Sequence, residues 1–212
     1  QNDAAAGAPA TCFWDNPNRY RDVAYVTVSS GIGCGVVSDG RLYAGNSGNG
    51  TELGHIPLIW GGRPCRCGLS GCAEAYLSGT SIGERFSELS GRGPFTAEEV
   101  GVLAAGGEPE AEAFWQDTMF MLRRLARAAA DLFDPALLVL GGGVTDAPAR
   151  LLDPVFGDSG QGVSMAGGVG KSMVVRRTGF GRNSGVLSAA AVAWNDLAPD
   201  GLGTIGVRVW SS

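Results

Sequence analysis

The sequence predicts an α/β domain in which helices flank a mixed β-sheet, and three observations lead to this prediction. An apolar run at residues 23–28 is followed by two shorter runs and two turn sequences, which is typical of an antiparallel meander. A long amphipathic segment at 110–133 precedes a short apolar run and a triple glycine, which is typical of a parallel α/β unit. Between them, residues 51–74 contain a set of metal-binding side chains.

Composition sets broad limits on the chain. It has 212 residues, enough for one large domain or two small ones, and 44% of them are hydrophobic. The net charge is −5, which argues against a nucleic-acid surface in this segment. We identify no signal peptide and no apolar run of 18 or more residues. The expected location is therefore the cytoplasm, with no membrane partner.

Residues 51–74 hold the only histidine of the chain and three of its five cysteines. One imidazole from His55 and three thiolates from Cys65, Cys67 and Cys72 make a complete tetrahedral zinc set. The alternative is that these are reduced cysteines buried as small hydrophobic residues. Their spacing among glycines and prolines favours the metal. A disulfide is disfavoured because Cys65 and Cys67 are one residue apart and the total count is odd.

Two further interpretations concern the cysteines. A zinc-ribbon nucleic-acid module would need a second cysteine pair and basic surroundings, whereas the chain has one Cys-x-Cys unit and is acidic. Cys12 and Cys34 are interpreted as ordinary small residues.

The remaining elements follow in chain order. In the first half we expect a capped small-residue helix at 1–10, a loop at 11–22, strands at 23–28, 36–37 and 41–43, a loop at 44–50 and a helix at 75–89. In the second half we expect a helix at 100–105 behind a Thr96–Glu99 capping box, the long helix 110–133, a strand at 136–140, irregular chain at 146–170 and a strand at 173–177.

Two glycine-rich turns follow predicted strands. Residues 29–35 read Ser-Ser-Gly-Ile-Gly-Cys-Gly, and such glycines allow backbone N–H groups to approach an anion. The alternative is a glycine-rich hairpin without a ligand. The triple glycine 141–143 stands at the carboxyl end of a buried strand, a usual position for a ligand, or it is a simple turn.

The metal segment carries a family resemblance. Glu-Leu-Gly-His at 52–55, followed by Cys-x-Cys-Gly-x-x-Gly-Cys-x-Glu at 65–74, resembles the signature of the ROK family. That family contains bacterial sugar kinases and also repressors built on the same kinase-like body. The resemblance implies an actin/hexokinase-like ATPase domain, with a ribonuclease H-like mixed sheet and a structural zinc loop. It also implies phosphoryl transfer from Mg-ATP to a hexose or N-acetylhexosamine, in a cytoplasmic protein that is expected to form a homodimer.

The resemblance also implies roles for individual residues. Asp3 would be the catalytic base, and Asn2 would bind the sugar. The other implied sugar ligands are Glu52, His55 and Glu74, and the implied zinc ligands are His55, Cys65, Cys67 and Cys72. The implied contacts to ATP are Ser30, Gly31, Gly33, Gly141, Gly142 and Gly143. A closing helix is expected at 180–194.

Two organisations of the whole protein follow from the resemblance. Residues 1–212 would be the large C-terminal domain, and the small upstream domain with its phosphate loop is not in this chain. Alternatively, the chain is the sugar-binding effector domain of a ROK repressor, which would contact DNA only through an upstream helix-turn-helix. The family pattern has a second Asn where this chain has Ala5, which favours the repressor slightly.

Overall fold

The computed structural model describes residues 3–14, 20–156, 163–166 and 172–179, and these residues form one six-stranded mixed sheet with helices on both faces. The strands are β1 Val23–Val28, β2 Ile32–Ser38, β3 Arg41–Leu42, β4 Leu137–Gly141, β5 Val163–Ala166 and β6 Ser172–Arg177. Their order in the sheet is β3-β2-β1-β4-β6-β5. The predicted meander is confirmed, because β2 pairs antiparallel with β1 and with β3. The predicted parallel unit is confirmed as well, because β4 runs parallel to β1 and β6.

Six α-helices belong to the described part of the chain. They are α1 Asp3–Trp14, α2 Glu74–Leu77, α3 Gly79–Ser90, α4 Ala97–Ala105, α5 Pro109–Phe133 and α6 Ala149–Phe156. The predicted capping box is present at α4, where Thr96 accepts from the N–H of Glu99 and the Glu99 carboxylate accepts from the N–H of Thr96. Among these residues, no helix is both long enough and apolar enough to span a bilayer.

Alternation along the strands sends side chains to two apolar layers. In β1, Val23 and Tyr25 pack with Ala8 and Cys12 of α1. The intervening side chains, such as Val26, point to the opposite face and join the larger core under α2 to α6. Both faces of the central strands are therefore covered, which explains why β1 and β4 are mostly apolar on both faces.

The parallel pairing of β1 and β4 positions the candidate site. Thr27 is in register with Gly141, so the two strands end at the same edge of the sheet. The turn that follows β1 and the glycines that follow β4 are therefore neighbours. The carboxyl edge of adjacent parallel strands is the usual ligand position in α/β sheets.

Four predictions about elements need correction. Helix α1 continues to Trp14, so the expected loop begins later than residue 11. The expected helix 75–89 is two helices, because Ser78 is extended (φ −64°, ψ 151°) and its side chain caps α3 by accepting from the N–H of Ser81. The stretch 146–170 contains α6 and β5, and α6 forms because its apolar residues pack on the core. The glycine turn expected at 29–35 ends at residue 31, because β2 begins at Ile32, so the strand expected at 36–37 is longer at both ends. The expected helix 180–194 lies outside the described residues.

Candidate functional site

A cleft of about 1230 Å³ opens at the carboxyl edge of β1 and β4. One side is built by the metal segment and the start of α3. The opposite side is built by α4 and the chain that follows β4. Five carboxylates line it: Glu52, Glu74, Glu84, Glu98 and Asp146. Carboxylates only accept hydrogen bonds when ionised, so the described lining suits a ligand rich in hydroxyl donors.

The Glu-Leu-Gly-His motif forms a short 3-10 turn that packs directly on β2. Leu53 is buried in the core, and Gly54 faces Ile32. A Cβ at Gly54 would lie 2.6 Å from the carbonyl oxygen of Ile32, so only glycine fits without displacing the strand. These two anchors direct Glu52 and His55, at either end of the turn, into the cleft.

The predicted metal ligands come together in one cluster. The ligand atoms of His55, Cys65, Cys67 and Cys72 all lie within 4.8 Å of one another. The Sγ atoms of Cys67 and Cys72 are 3.6 Å apart, and Sγ of Cys65 is 3.7 Å from Nδ1 of His55. In a tetrahedral site with Zn–S bonds of about 2.3 Å, two sulfurs would lie about 3.8 Å apart. The donor set and its spacing therefore fit a tetrahedral metal ion.

The environments of Cys67 and Cys72 shift their thiol pKa values in opposite directions. A backbone hydrogen bond from Leu69 lowers the pKa of the Cys67 thiol, whereas burial raises the pKa of Cys72 to about 12. A bound divalent cation would deprotonate a coordinating thiol outright. Burial also raises the pKa values of Cys12 and Cys34 to about 12. These last two thiols are buried and lie outside the cluster, in agreement with their interpretation as ordinary small residues.

His55 connects the cluster to the cleft. Its Nδ1 faces the cysteines, and its Nε2 lies 4.0 Å from Oε2 of Glu52. The two ring nitrogens therefore point to different groups. Glu74 lies two residues after Cys72 and also lines the cleft, and its Oε2 accepts a hydrogen bond from the N–H of Ile32 at 2.8 Å.

The segments that follow β1 and β4 both line the cleft. Ser30 and Gly31 line it from the turn after β1, Gly33 lines it from β2, and Gly142 and Gly143 line it from the turn after β4. Gly141 does not line the cleft. It is the last residue of β4, and a Cβ there would overlap the hydroxyl of Tyr25.

Gly142 and Gly143 offer a matched pair of substitutions. Gly142 has φ +91°, and a Cβ there would overlap the backbone of Val28, so we expect Gly142→Ala to destabilise the fold by about 2–4 kcal/mol. A Cβ at Gly143 meets no atom within 4 Å, so Gly143→Ala should change stability by less than about 1 kcal/mol. Thermal unfolding of the two full-length variants measures the difference. Equal melting temperatures would contradict the described turn.

Several cleft residues were not predicted from the sequence. Tyr25 and Thr27 lie in β1, Thr80 lies in the first turn of α3, and Trp115 lies on α5. None belongs to a local motif. They reach the cleft through strand pairing and helix packing, and the one available signal was the parallel unit that aligns the ends of β1 and β4.

The predicted base Asp3 and the predicted sugar ligand Asn2 lie at the start of the chain. Asn2 is outside the described residues, and Asp3 is known only as the first residue of α1. Helix α1 lies against the cleft-lining Tyr25, because a Cβ at Gly7 would overlap its ring.

The mixed sheet, with a cleft at the ends of its central parallel strands, defines a domain of the actin/hexokinase-like ATPase fold. A solved ROK hexokinase from Thermus thermophilus has this arrangement, with a TM-score of 0.77 and 33% identity over 90% of this chain and 64% of that chain. The ROK family model matches residues 1–195, and the chain belongs to the ROK family.

Similar members of the family include sugar kinases and a transcriptional regulator. A glucokinase from Streptomyces coelicolor is 31% identical over 73% of this chain and 54% of its own length. An N-acetylmannosamine kinase from Citrobacter koseri is 38% identical over 68% of this chain and 48% of its own length. A solved ROK transcriptional regulator, a homologue of the Escherichia coli MLC protein, has a TM-score of 0.63 and 28% identity over 72% of this chain and 41% of that chain. The chain thus spans about half the length of these curated relatives.

Proposed function

We propose that this chain is the large C-terminal domain of a ROK-type sugar kinase, which transfers a phosphoryl group from Mg-ATP to a hexose or N-acetylhexosamine. One observation carries the proposal. A single cleft brings the acidic and imidazole side chains of the metal segment together with two glycine turns at the ends of parallel strands. Hydroxyl-binding groups and phosphate-binding turns thus share one space, as a phosphoryl transfer to a sugar requires.

The sugar would bind on the metal side of the cleft. Glu52 and Glu74 would accept hydrogen bonds from sugar hydroxyls, and such bonds to charged acceptors are stronger than neutral ones. Because one oxygen of Glu74 accepts the N–H of Ile32, its other oxygen remains for the sugar. Asn2 would complete this side.

A zinc ion in the cysteine cluster would hold these ligands in position. His55 would bind the metal through Nδ1, which leaves a proton on Nε2 for donation to a sugar hydroxyl or to Glu52. The role is structural, because four protein ligands leave no open position for chemistry. A cluster of thiolates also suits a reducing compartment such as the cytoplasm.

The nucleotide would lie along the two glycine turns. Ser30, Gly31 and Gly33 are proposed to face the phosphates, and Gly142 and Gly143 the adenosine side, with Gly141 supporting that turn from within β4. Magnesium would neutralise the charge that develops on the transferred phosphoryl group. The acidic lining makes this neutralisation more necessary.

Asp3 would accept the proton of the attacking hydroxyl. It precedes Gly7 by four residues, which is about 6 Å along a helix, and Gly7 contacts the cleft-lining Tyr25.

The alternative function is the effector domain of a ROK repressor. The MLC homologue favours it, because a regulator shares this fold at 28% identity. A repressor would retain the sugar side of the cleft and the metal but would not need Asp3 as a base. Contact with DNA would come from a segment outside residues 1–212.

Release of ADP by the full-length protein distinguishes the two functions. We expect sugar-dependent release with Mg-ATP and at least one of glucose, mannose, N-acetylglucosamine or N-acetylmannosamine, at roughly 1–100 s⁻¹. The control is the same mixture without sugar. Absence of release with every sugar, together with sugar-sensitive binding to DNA, would replace the kinase by the repressor. Sedimentation of the same sample checks the homodimer that the family resemblance implies.

A further inference from the structure

The hairpin turn between β1 and β2 is held by a segment that is distant in sequence. Residues 29–31 form this turn, and three hydrogen bonds reach it or its first β2 residue from residues 74–80. The N–H of Ile32 donates to Glu74 Oε2 at 2.8 Å, and the N–H of Gly79 donates to the carbonyl of Ser29 at 2.6 Å. The hydroxyl of Thr80 donates to the carbonyl of Ser30 at 3.2 Å. We call residues 74–80 the clamp.

Two glycines allow the clamp and the turn to come close together. A Cβ at Gly31 would lie 2.9 Å from Oε2 of Glu74, and a Cβ at Gly79 would lie 3.2 Å from the carbonyl oxygen of Ser29. Glycine at position 31 leaves room for the Glu74 carboxylate, and glycine at position 79 lets its N–H reach the carbonyl of Ser29. A shift of the clamp would therefore move the turn directly.

The other end of the clamp is fixed to the metal cluster. Cys72 precedes Glu74 by two residues, and the intervening Ala73 donates its N–H to the carbonyl of Ile56, the residue after His55. Helix α2 then joins this end to Ser78 through the bonds from Leu77 to Ala73 and from Ser78 to Glu74. A continuous hydrogen-bonded path runs from the cluster to the turn.

We propose that the clamp couples occupancy of the metal cluster to the conformation of the 29–31 turn. A metal ion that holds Cys72 against His55 fixes the start of the clamp, and the clamp in turn fixes Ser29, Ser30 and Ile32. Glu74 and Thr80 are thereby positioning residues for this turn. That the turn faces phosphates rests on the proposed function, whereas the coupling itself does not.

Hydrogen exchange in the full-length protein tests the coupling without any assay of activity. The amides of residues 28–36 are compared in the metal-loaded protein and after removal of the metal by a chelator. We expect exchange at Ile32 to become about 2–10-fold faster, which corresponds to the weakening of one hydrogen bond. Residues 137–141 of β4 serve as the internal control. Unchanged exchange at 28–36, when the metal segment itself exchanges faster, would overturn the proposal.

Thr80 supplies a second test with the metal in place. Thr80→Val removes the hydroxyl, and Thr80→Ser retains it. We expect faster exchange at residues 29–32 in the Val variant alone, and a KM for ATP about 2–10-fold higher with the KM for sugar unchanged. If chelation unfolds the whole protein, this pair tests the link between clamp and turn on which the coupling depends, and equal exchange in both variants would overturn the proposal.

The exchange measurements also separate this proposal from the proposed function. Loosening of residues 28–36 after metal removal in a protein without kinase activity would leave the coupling standing and remove the kinase. Kinase activity in a protein whose exchange at residues 28–36 does not change after metal removal would leave the proposed function standing and remove the coupling.

Discussion

Asp3→Asn in the full-length protein is expected to lower kcat for sugar phosphorylation by about 10²–10⁴-fold. The amide keeps the size of the carboxylate but cannot accept the proton of the attacking hydroxyl. The KM values for sugar and ATP should change little, because the substitution removes an interaction that matters mainly in the transition state. Steady-state release of ADP, with the sugar that gives the highest rate, measures the effect.

A matched variant separates loss of the base from loss of the fold. Asp153 lies on α6 and does not line the cleft, so Asp153→Asn should retain kcat within about twofold. Removing the charge of Asp3 from the start of α1 should weaken the helix by only about 0.3–1 kcal/mol, so the variant should remain folded in a thermal scan. A folded Asp3→Asn protein with full kcat would refute Asp3 as the base.

The metal segment was predictable because its information is local. Cys65, Cys67 and Cys72 lie within eight residues, so the turns between them almost determine that their sulfurs meet. The position of His55 was less certain from spacing alone. His55 is positioned by the tertiary contact between Gly54 and Ile32. In the sequence, Gly54 gives no indication of this contact.

The far wall of the cleft could not be predicted in the same way. Thr96 caps the helix that contains Gly101, and Trp115 lies within the long helix α5, and neither helix carries a ligand motif in its sequence. They line the cleft because α4 and α5 pack together over the carboxyl edge of the sheet. Such packing depends on which face of one helix contacts which face of another. The sequence indicates the apolar face of each helix but not its partner.

The same limit explains the break at Ser78. Residues 75–89 have helical periodicity throughout, and the serine is compatible with a helix interior as well as with a cap. The choice is decided by the turn after β1, because the N–H of Gly79 bonds to Ser29 and the hydroxyl of Thr80 bonds to Ser30. The helical periodicity of 75–89 is thus interrupted by a tertiary contact between residues about 50 positions apart in the sequence.

Cys67→Ala is expected to remove the metal and to lower stability more than Cys34→Ala does. With free zinc at about 100 times its dissociation constant, binding contributes about 2.7 kcal/mol, which would lower the melting temperature by about 5–10 °C when lost. Elemental analysis should give roughly one zinc per chain in the unmodified protein and a small fraction of that in Cys67→Ala. Cys34→Ala should retain the full metal content, because Cys34 lies outside the cluster.

The two variants discriminate well because burial alone predicts that Cys34→Ala lowers stability more than Cys67→Ala does. Cys67 is exposed, and without a metal its replacement should change stability by less than about 0.5 kcal/mol. Cys34 is buried in the core, where loss of a group of this size costs about 1 kcal/mol. If Cys67→Ala lowers stability more than Cys34→Ala does, the exposed thiol of Cys67 must bind a metal ion. If Cys34→Ala proves the more damaging of the two, the cluster holds no structural metal, and the sugar side of the cleft has lost its proposed support.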